Sequence, residues 1–282
     1  MKSTMYSILI PASKAFVPGL KVFFKSFAHY HKDSNIRIVL LNYDLPDEIL
    51  LADYPFELKI FQLHTDERPA KVCKLASYEF MEKLKGVVML ADADSFFLGN
   101  IEHLFKIAEC GYIVGSANGQ NIYFQEDYAK IVGLDIAGKH QYRTIAAPYF
   151  ADCSKWGWVF REAVDAWHKI GENHGSSIWQ LFNAVIALHD LQENIISFPS
   201  QQLTNLHQKM LKPGTRIRYD KGRIMTEDGL EVLMCHDKWW KPEFLDGLMV
   251  FGKRFCKEDQ KCLNQWQHSR DILKTEFDRW IK

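Results

Sequence analysis

The sequence lacks a net charge, because its 35 lysine and arginine residues balance 35 aspartate and glutamate residues. A polyanionic partner bound by bulk charge alone is therefore disfavoured. No stretch reaches the ~18 consecutive apolar residues of a membrane-spanning helix, and the N-terminal apolar run, interrupted by Pro11, is too short for a signal peptide. These absences predict a cytoplasmic protein and leave peripheral attachment to the inner face of a membrane open.

Familiar cysteine patterns and enzyme motifs are also missing. The six cysteines form no CxxC pair and no regular spacing, which predicts reduced thiols and neither a disulfide scaffold nor a zinc knuckle. P-loop, Rossmann dinucleotide and nucleophile-elbow enzymes are excluded because GxxxxGK(S/T), GxGxxG and GxSxG are absent. What is present is an ordinary globular composition, with 47% hydrophobic and 25% charged residues.

The first half of the chain alternates short apolar runs with amphipathic stretches. Strands are predicted over 6–12, 36–41, 58–63, 87–91 and 112–117, and helices over 20–31 and 69–84. This alternation predicts an α/β fold with a mostly parallel central sheet flanked by helices.

The second half has a different pattern. Helices are predicted over 158–170 and 177–188, the latter opening with a Ser177-x-x-Gln180 capping box, and turn residues within 215–235 predict a small antiparallel meander. Since no linker or repeat interrupts the chain, we expect a single domain over 1–252 and a helical tail over 253–282.

The tail carries an apolar stripe at helical spacing. Lys253 to Lys282 contain eight basic residues against five acidic ones, and the stripe is formed by Leu263, Trp266, Leu273, Phe277 and Trp280. A basic amphipathic helix of this kind can lie on an anionic membrane. The alternative is that the stripe packs on its own domain.

Two acidic residues, Asp92 and Asp94, follow the most apolar predicted strand. Side chains two residues apart in an extended segment point the same way, and ligands of open α/β sheets bind beyond the carboxyl ends of the strands. Such hard oxygen ligands suit Mg²⁺ or Mn²⁺ bridged to substrate phosphates. The alternative is that both acids cap the loop that follows.

A second polar cluster, Cys235 to Pro242, follows the apolar run 232–234. The imidazole of His236 can complete a divalent-metal shell, while Lys238 or Lys241 can neutralise charge on a departing diphosphate. The alternative is an exposed loop with two packed tryptophans and unpaired lysines.

Together these motifs resemble those of the GT-A nucleotide-sugar glycosyltransferases, over about residues 5 to 245. The similarity is greatest to the branch that contains glycogenin and the bacterial lipopolysaccharide galactosyltransferases. It rests on a first strand ending in Pro11-Ala12, a helix ending in KSFAHYH (25–31), the DxD of Asp92 and Asp94, and a late HxxxxKP over 236–242.

The resemblance implies a GT-A fold, with a nucleotide-sugar half over about 1–117 and an acceptor half over about 118–252. It implies that Asp92, Asp94 and His236 hold Mn²⁺ (or Mg²⁺) on the diphosphate of a nucleotide sugar, with UDP favoured by family habit. Lys241 would contact the diphosphate, and Lys71 or Lys74 would be the basic residue on the helix before the DxD strand.

The resemblance also implies where the nucleoside lies, at the ends of the first two strands. Pro11, Ala12 and Ser13 end the first strand, and Asn42, Tyr43 and Asp44 end the second. Tyr43 can stack on a base and Asp44 can accept a hydrogen bond from a base or ribose, although Asn-Tyr-Asp is also an ordinary turn composition.

The sequence departs from the family pattern at three places. The family's late motif reads roughly HxxGxxKPW, whereas this chain has Trp239 in place of the glycine and no tryptophan after Pro242. The acceptor-side strand motif is replaced by Ala151-Asp152-Cys153, in which Asp152 is either a base or electrostatic stabiliser near the anomeric carbon or a solvated turn acid. Gln180 lies in a segment similar to the family's DQxxLN without its first aspartate.

We therefore expect a metal-dependent glycosyltransferase that uses a UDP-linked or related donor and a glycan, lipid-linked or other hydroxyl acceptor, with retention of configuration. The alternatives are a carbohydrate-binding or scaffold protein on a degenerate transferase fold, a sugar-nucleotide pyrophosphorylase, and a glycosyltransferase acting on modified DNA bases. The zero net charge argues against extended contact with nucleic acid.

Overall fold

The computed structural model of the protein describes residues 6–64, 69–117, 130–133, 144–170, 178–203, 216–236, 239–241 and 260–282. Its strands are β1 (Tyr6–Ala12), β2 (Ile36–Asn42), β3 (Leu58–Gln62), β4 (Val87–Leu90), β5 (Ser95–Phe97), β6 (Ile113–Ala117), β7 (Ile145–Asp152), β8 (Ile195–Phe198), β9 (Ile217–Asp220), β10 (Arg223–Thr226) and β11 (Met234–His236). Its helices are α1 (Val17–Tyr30), α2 (Asp47–Leu50), α3 (Pro69–Lys83), α4 (Glu102–Glu109), α5 (Cys153–Ile170), α6 (Ile178–Leu188), α7 (Ser200–Leu203) and α8 (Gln260–Ile281).

The central sheet has the strand order β3-β2-β1-β4-β7-β6-β8 within the described residues. Strands β3, β2, β1 and β4 are mutually parallel, as are β6 and β8, whereas β7 runs antiparallel to both β4 and β6. The predicted α/β fold with a mostly parallel sheet is therefore confirmed.

Helices cover both faces of this sheet. Successive residues of a strand point to opposite faces, so each central strand supplies apolar side chains to two core clusters. Ile8 and Ile10 of β1 join the core cluster under α1 and α4. Leu9 between them joins the opposite cluster, which includes Met81 of α3 and Phe160 of α5. The continuous apolar runs in the sequence thus reflect burial on both faces.

The segment predicted as one meander divides into two pairings. Strands β9 and β10 form the expected antiparallel hairpin, whose turn places Lys221 and Gly222 at positive φ. Strand β11 instead pairs antiparallel with β5, so that His236 lies opposite Ser95. The last strand of the predicted meander, β11, therefore pairs with β5, the strand that follows β4 in the chain.

The described part of the tail packs on the domain. Leu273 and Phe277 of α8 are buried in a cluster with Phe96, and the Tyr219 hydroxyl donates to Glu276 Oε1 at 2.7 Å. The described part of the apolar stripe thus packs on the domain, which is the alternative given above. Peripheral membrane contact through residues 253–282 stays a prediction. The side chains of Leu263 and Trp266 lie outside the described residues.

Among the described helices, none is both long and apolar enough to cross a membrane. The division of the chain near residues 117 and 252 stays a prediction.

Candidate active site

The acidic turn, residues 91–95, begins where β4 leaves the sheet. The Ala91 N–H donates to the Leu9 carbonyl at 3.0 Å, and the Ser95 N–H donates to the Asp92 carbonyl at 3.1 Å. These bonds tie the turn to β1 and curl it back into β5. Asp94 is buried and Asp92 is partly exposed, so the turn holds two carboxylates at the carboxyl edge of the parallel strands.

His236 reaches this turn through the pairing of β11 with β5. Its Nε2 lies 3.0 Å from Asp94 Oδ1 and 3.5 Å from Asp92 Oδ2. One ligand atom from each of the three residues lies within 4.8 Å of the others. We name Asp92, Asp94 and His236 the acidic triad.

The triad fits a small divalent cation. Ligands about 2.1 Å from an octahedral ion lie roughly 3 Å apart when they are neighbours, which is close to the separations of His236 Nε2 from the two carboxylates. Two carboxylate oxygens and one imidazole nitrogen are donors that Mg²⁺ and Mn²⁺ accept. The arrangement leaves coordination positions for phosphate oxygens.

A basic side chain stands beside the triad. Lys74 of α3 places its Nζ 3.8 Å from Asp92 Oδ1. The negative charge of Asp92 raises the pKa of Lys74, against the opposing effect of burial. Lys74 therefore carries a fixed positive charge at the site, as expected of a group that contacts a diphosphate.

The remaining predicted lysines are described unequally. Lys241 is half-buried and directly follows Trp240. The side chain of Lys71, one turn before Lys74 on α3, lies outside the described residues, and so does Lys238.

The ends of β1 and β2 lie at the same edge as the triad. Ala12 is paired with Asn42, and the Tyr43 N–H donates to the Ala12 carbonyl at 3.2 Å. The Asp44 carboxylate accepts from the Lys14 N–H at 2.7 Å and lies 3.8 Å from Lys14 Nζ. Asp44 therefore organises the loop that follows β1.

The other predicted nucleoside residues line the same region of the edge. Pro11 and Ser13 are buried at the end of β1. Tyr43 is 9% exposed and packs with Ala76 of α3, so the face available to a base is limited.

Asp152 lies at the end of β7 that is farther from the triad. Because β7 is antiparallel to β4, its residue Tyr149 pairs with Leu90, whereas Asp152 pairs with Val87 at the start of β4. At about 3.3 Å per residue this places Asp152 roughly 15 Å from the acidic turn. Its Oδ1 accepts from the Ser154 N–H at 2.9 Å, the contact of a helix N-cap. The placement of Asp152 near the anomeric carbon is therefore corrected, and its cap explains why α5 begins at Cys153 rather than at the predicted residue 158.

The beginning of β7 lies at the triad's edge, and the sequence patterns did not identify it. Asn183 of α6 holds this strand end: Ile145 N–H donates to Asn183 Oδ1, and Asn183 Nδ2 donates to the Ile145 carbonyl, each at 2.9 Å. Gln180 is three residues before Asn183, on the same side of α6. The first turn of α6 with Gln180 is thereby fixed beside this strand end, while Ser177 lies outside the described residues.

Two buried tyrosines lie beneath the site. Tyr78 of α3 and Tyr149 of β7 share a hydrogen bond, and burial raises the pKa of both hydroxyls well above the ordinary value. They stay protonated and neutral below the triad. Their position was not predicted, since two tyrosines 71 residues apart carry no local signal.

No sequence model of a protein family matches the chain, and no curated protein matches it in sequence. Among solved structures it is similar to galactosyltransferase LgtC in complex with donor and acceptor sugar analogues, at 12% identity and a TM-score of 0.59, covering 98% of this chain and 96% of that one. It is also similar to a glutamine-to-glutamate active-site mutant of LgtC, at 13% identity and a TM-score of 0.60, covering 92% of this chain and 93% of that one. This likeness shows that the chain has the GT-A fold that the motif resemblance implied.

Proposed function

We propose that this GT-A protein is a metal-dependent glycosyltransferase that moves a sugar from a nucleotide-diphosphate donor, with UDP favoured, to a hydroxyl group of a glycan, lipid-linked or other acceptor. The observation that carries the proposal is the convergence of Asp92, Asp94 and His236 at the carboxyl edge of the sheet. The solved LgtC complex with donor and acceptor sugar analogues supports the same pairing of substrates here. The reduced state expected of the cysteines supports a cytoplasmic location, and Cys110, Cys153 and Cys235 are free thiols.

The triad would hold Mn²⁺ or Mg²⁺, which as a Lewis acid neutralises the charge of a leaving nucleoside diphosphate. Lys74 adds a fixed positive charge within reach of the same phosphate oxygens. Lys241, with Lys71 and Lys238, supplies further candidate contacts. No protonation of the leaving group is then needed, because its charge is balanced where it develops.

The donor would lie along the edge formed by β1, β2 and the acidic turn. Pro11, Ala12 and Ser13 would contact the nucleoside from the end of β1, and Tyr43 and Asp44 from the end of β2. The sugar would then face the start of β7 and the first turn of α6. Gln180 is our candidate for a group beside the sugar.

We propose retention of configuration. An inverting reaction needs a carboxylate base behind the acceptor hydroxyl, and Asp152 was the residue suggested for that role. Its position as the N-cap of α5, at the end of β7 that lies away from the triad, supports retention.

The experiment is a thermal-unfolding and donor-hydrolysis panel of nucleotide sugars with Mn²⁺, Mg²⁺ or EDTA, run on the wild-type protein, Asp94→Asn and Asp152→Asn. UDP-sugars with Mn²⁺ should raise the unfolding temperature and be slowly hydrolysed by the wild type and by Asp152→Asn. Asp94→Asn should lose both responses while keeping its fold, judged by circular dichroism. Equal responses with Mn²⁺ and EDTA, or no response of the wild type to any donor, would refute the proposal.

A further inference from the structure

Trp240 occupies an unusually tight contact beside the acidic turn. A methyl group added at Gly19 of α1 would lie 2.6 Å from Cζ3 of Trp240 and 2.9 Å from the carbonyl oxygen of Ala93. Real Cβ atoms do not approach other heavy atoms this closely. Gly19 is therefore the point at which the ring of Trp240 and the backbone between Asp92 and Asp94 both meet α1.

Glycine at this position is costly for the helix, because alanine has the higher helix propensity. Gly19 is the third residue of α1, with ordinary helical surroundings and no positive φ. The reason for a glycine is consequently the close approach, which leaves room for the Trp240 ring.

The C-terminal helix also contacts this ring. Phe277 of α8 stacks on Trp240, with ring centroids 6.3 Å apart and an interplanar angle of 25°. Phe277 also meets Phe96 edge-on at 5.9 Å, and Phe96 is two residues after Asp94. One buried side chain of α8 thus contacts both the strand that leaves the acidic turn and the tryptophan that precedes Lys241.

The neighbouring tryptophan fixes the rest of this connection. Trp239 is fully buried in the cluster that contains Phe96 and Phe277. Because its side chain is packed in that core, Trp239 restrains the backbone of the adjacent Trp240 and Lys241.

From these contacts we infer that Trp240, packed against Gly19 and Phe277, is a positioning residue that holds Lys241 and the acidic turn in one fixed arrangement for the metal and the donor diphosphate. The inference rests on the proposed function and adds to it a supporting role for the tail helix α8. Trp240 acts through its neighbours, because its ring packs on α1 and α8.

The test is a double-mutant cycle on the full-length protein, with UDP affinity at saturating Mn²⁺ and Mn²⁺ affinity alone measured by titration calorimetry. Gly19→Ala should weaken UDP binding by about 10- to 100-fold, the range seen for groups that orient metal ligands. Trp240→Phe, which lacks the ring atoms nearest Gly19, should cause a smaller loss. In the Trp240→Phe background, Gly19→Ala should have a smaller effect, because the clash with the indole is then removed and only the 2.9 Å approach to the Ala93 carbonyl oxygen remains.

Two controls separate positioning from general destabilisation. Gly157→Ala on α5 crowds another glycine, whose added methyl would lie 3.1 Å from Glu82 Cα; it should lower the unfolding temperature and leave UDP affinity unchanged. Trp158→Phe makes the same aromatic substitution at a side chain that is 40% exposed, with no effect on binding.

Wild-type UDP affinity in both Gly19→Ala and Trp240→Phe would overturn the inference, as would equal losses from Gly19→Ala in the two backgrounds. If Gly19→Ala does not fold, Trp240→Phe alone decides, because wild-type UDP affinity in that variant contradicts a positioning role. Failure of the wild-type protein to bind Mn²⁺ would instead overturn the proposed function, and the inference with it.

Discussion

His31 should make the protein lose stability as the pH falls below neutrality. The residue caps α1, and its ring is buried against Phe27 and Phe97. Nδ1 donates to the Phe27 carbonyl at 3.3 Å, and Nε2 accepts from the Ile101 N–H at 3.1 Å. A second proton on the ring would face the Ile101 N–H, so it would remove a hydrogen bond and place a charge in the core.

Burial accordingly lowers the pKa of His31 from 6.5 to about 4. Since the pKa is lower in the folded state, the unfolded chain takes up the proton first as the pH falls, and stability is lost between pH 6.5 and 4. The whole shift corresponds to about 3 kcal/mol, of which about 2 kcal/mol should already be lost at pH 5.

The assay is urea unfolding at pH 7 and pH 5, compared between the wild type, His31→Gln and the exposed control His64→Gln. His31→Gln should show a pH dependence that is smaller by about 2 kcal/mol, while His64→Gln should follow the wild type. Identical pH dependence in the wild type and His31→Gln would refute the reasoning.

Three further predictions concern the site and the fold. Lys74→Met should tighten Mn²⁺ binding about fivefold and weaken UDP binding, because it removes a positive charge near Asp92; calorimetry showing both affinities unchanged would contradict this. Asp152→Ala should cost about 1 kcal/mol of stability through loss of the α5 cap and leave Mn²⁺ affinity intact, whereas loss of Mn²⁺ binding would return Asp152 to the site. Leu273→Ala should cost about 2 to 5 kcal/mol in urea unfolding, and a cost near zero would show that α8 does not pack on the domain.

The outcome for Asp152 shows why strand direction could not be obtained from the local pattern. A run such as 145–152 predicts a strand equally well in either orientation, because the alternation of side chains is the same in both. The family resemblance suggested that its last residues lie beside the sugar, but the pairing of Tyr149 with Leu90 makes the strand antiparallel to β4. Strand β7 therefore begins near the triad, and its last residue, Asp152, lies at the opposite end of the strands.

The sequence by itself determined the alternation of strands and helices, the exit of Asp92 and Asp94 from a strand buried on both faces, and the presence of a second polar cluster at His236. These features are local, since periodicity and the order of residue types specify the kind of element and which end of it is polar.

Only the tertiary structure decided which of these features meet. The pairing of β11 with β5 brings His236 to Asp94, and the packing of α8 on Phe96 and Trp240 directs the apolar stripe of the tail into the core. Both depend on contacts between residues far apart in the chain, whose register is set by the burial of whole surfaces and leaves no periodic signal in either segment alone.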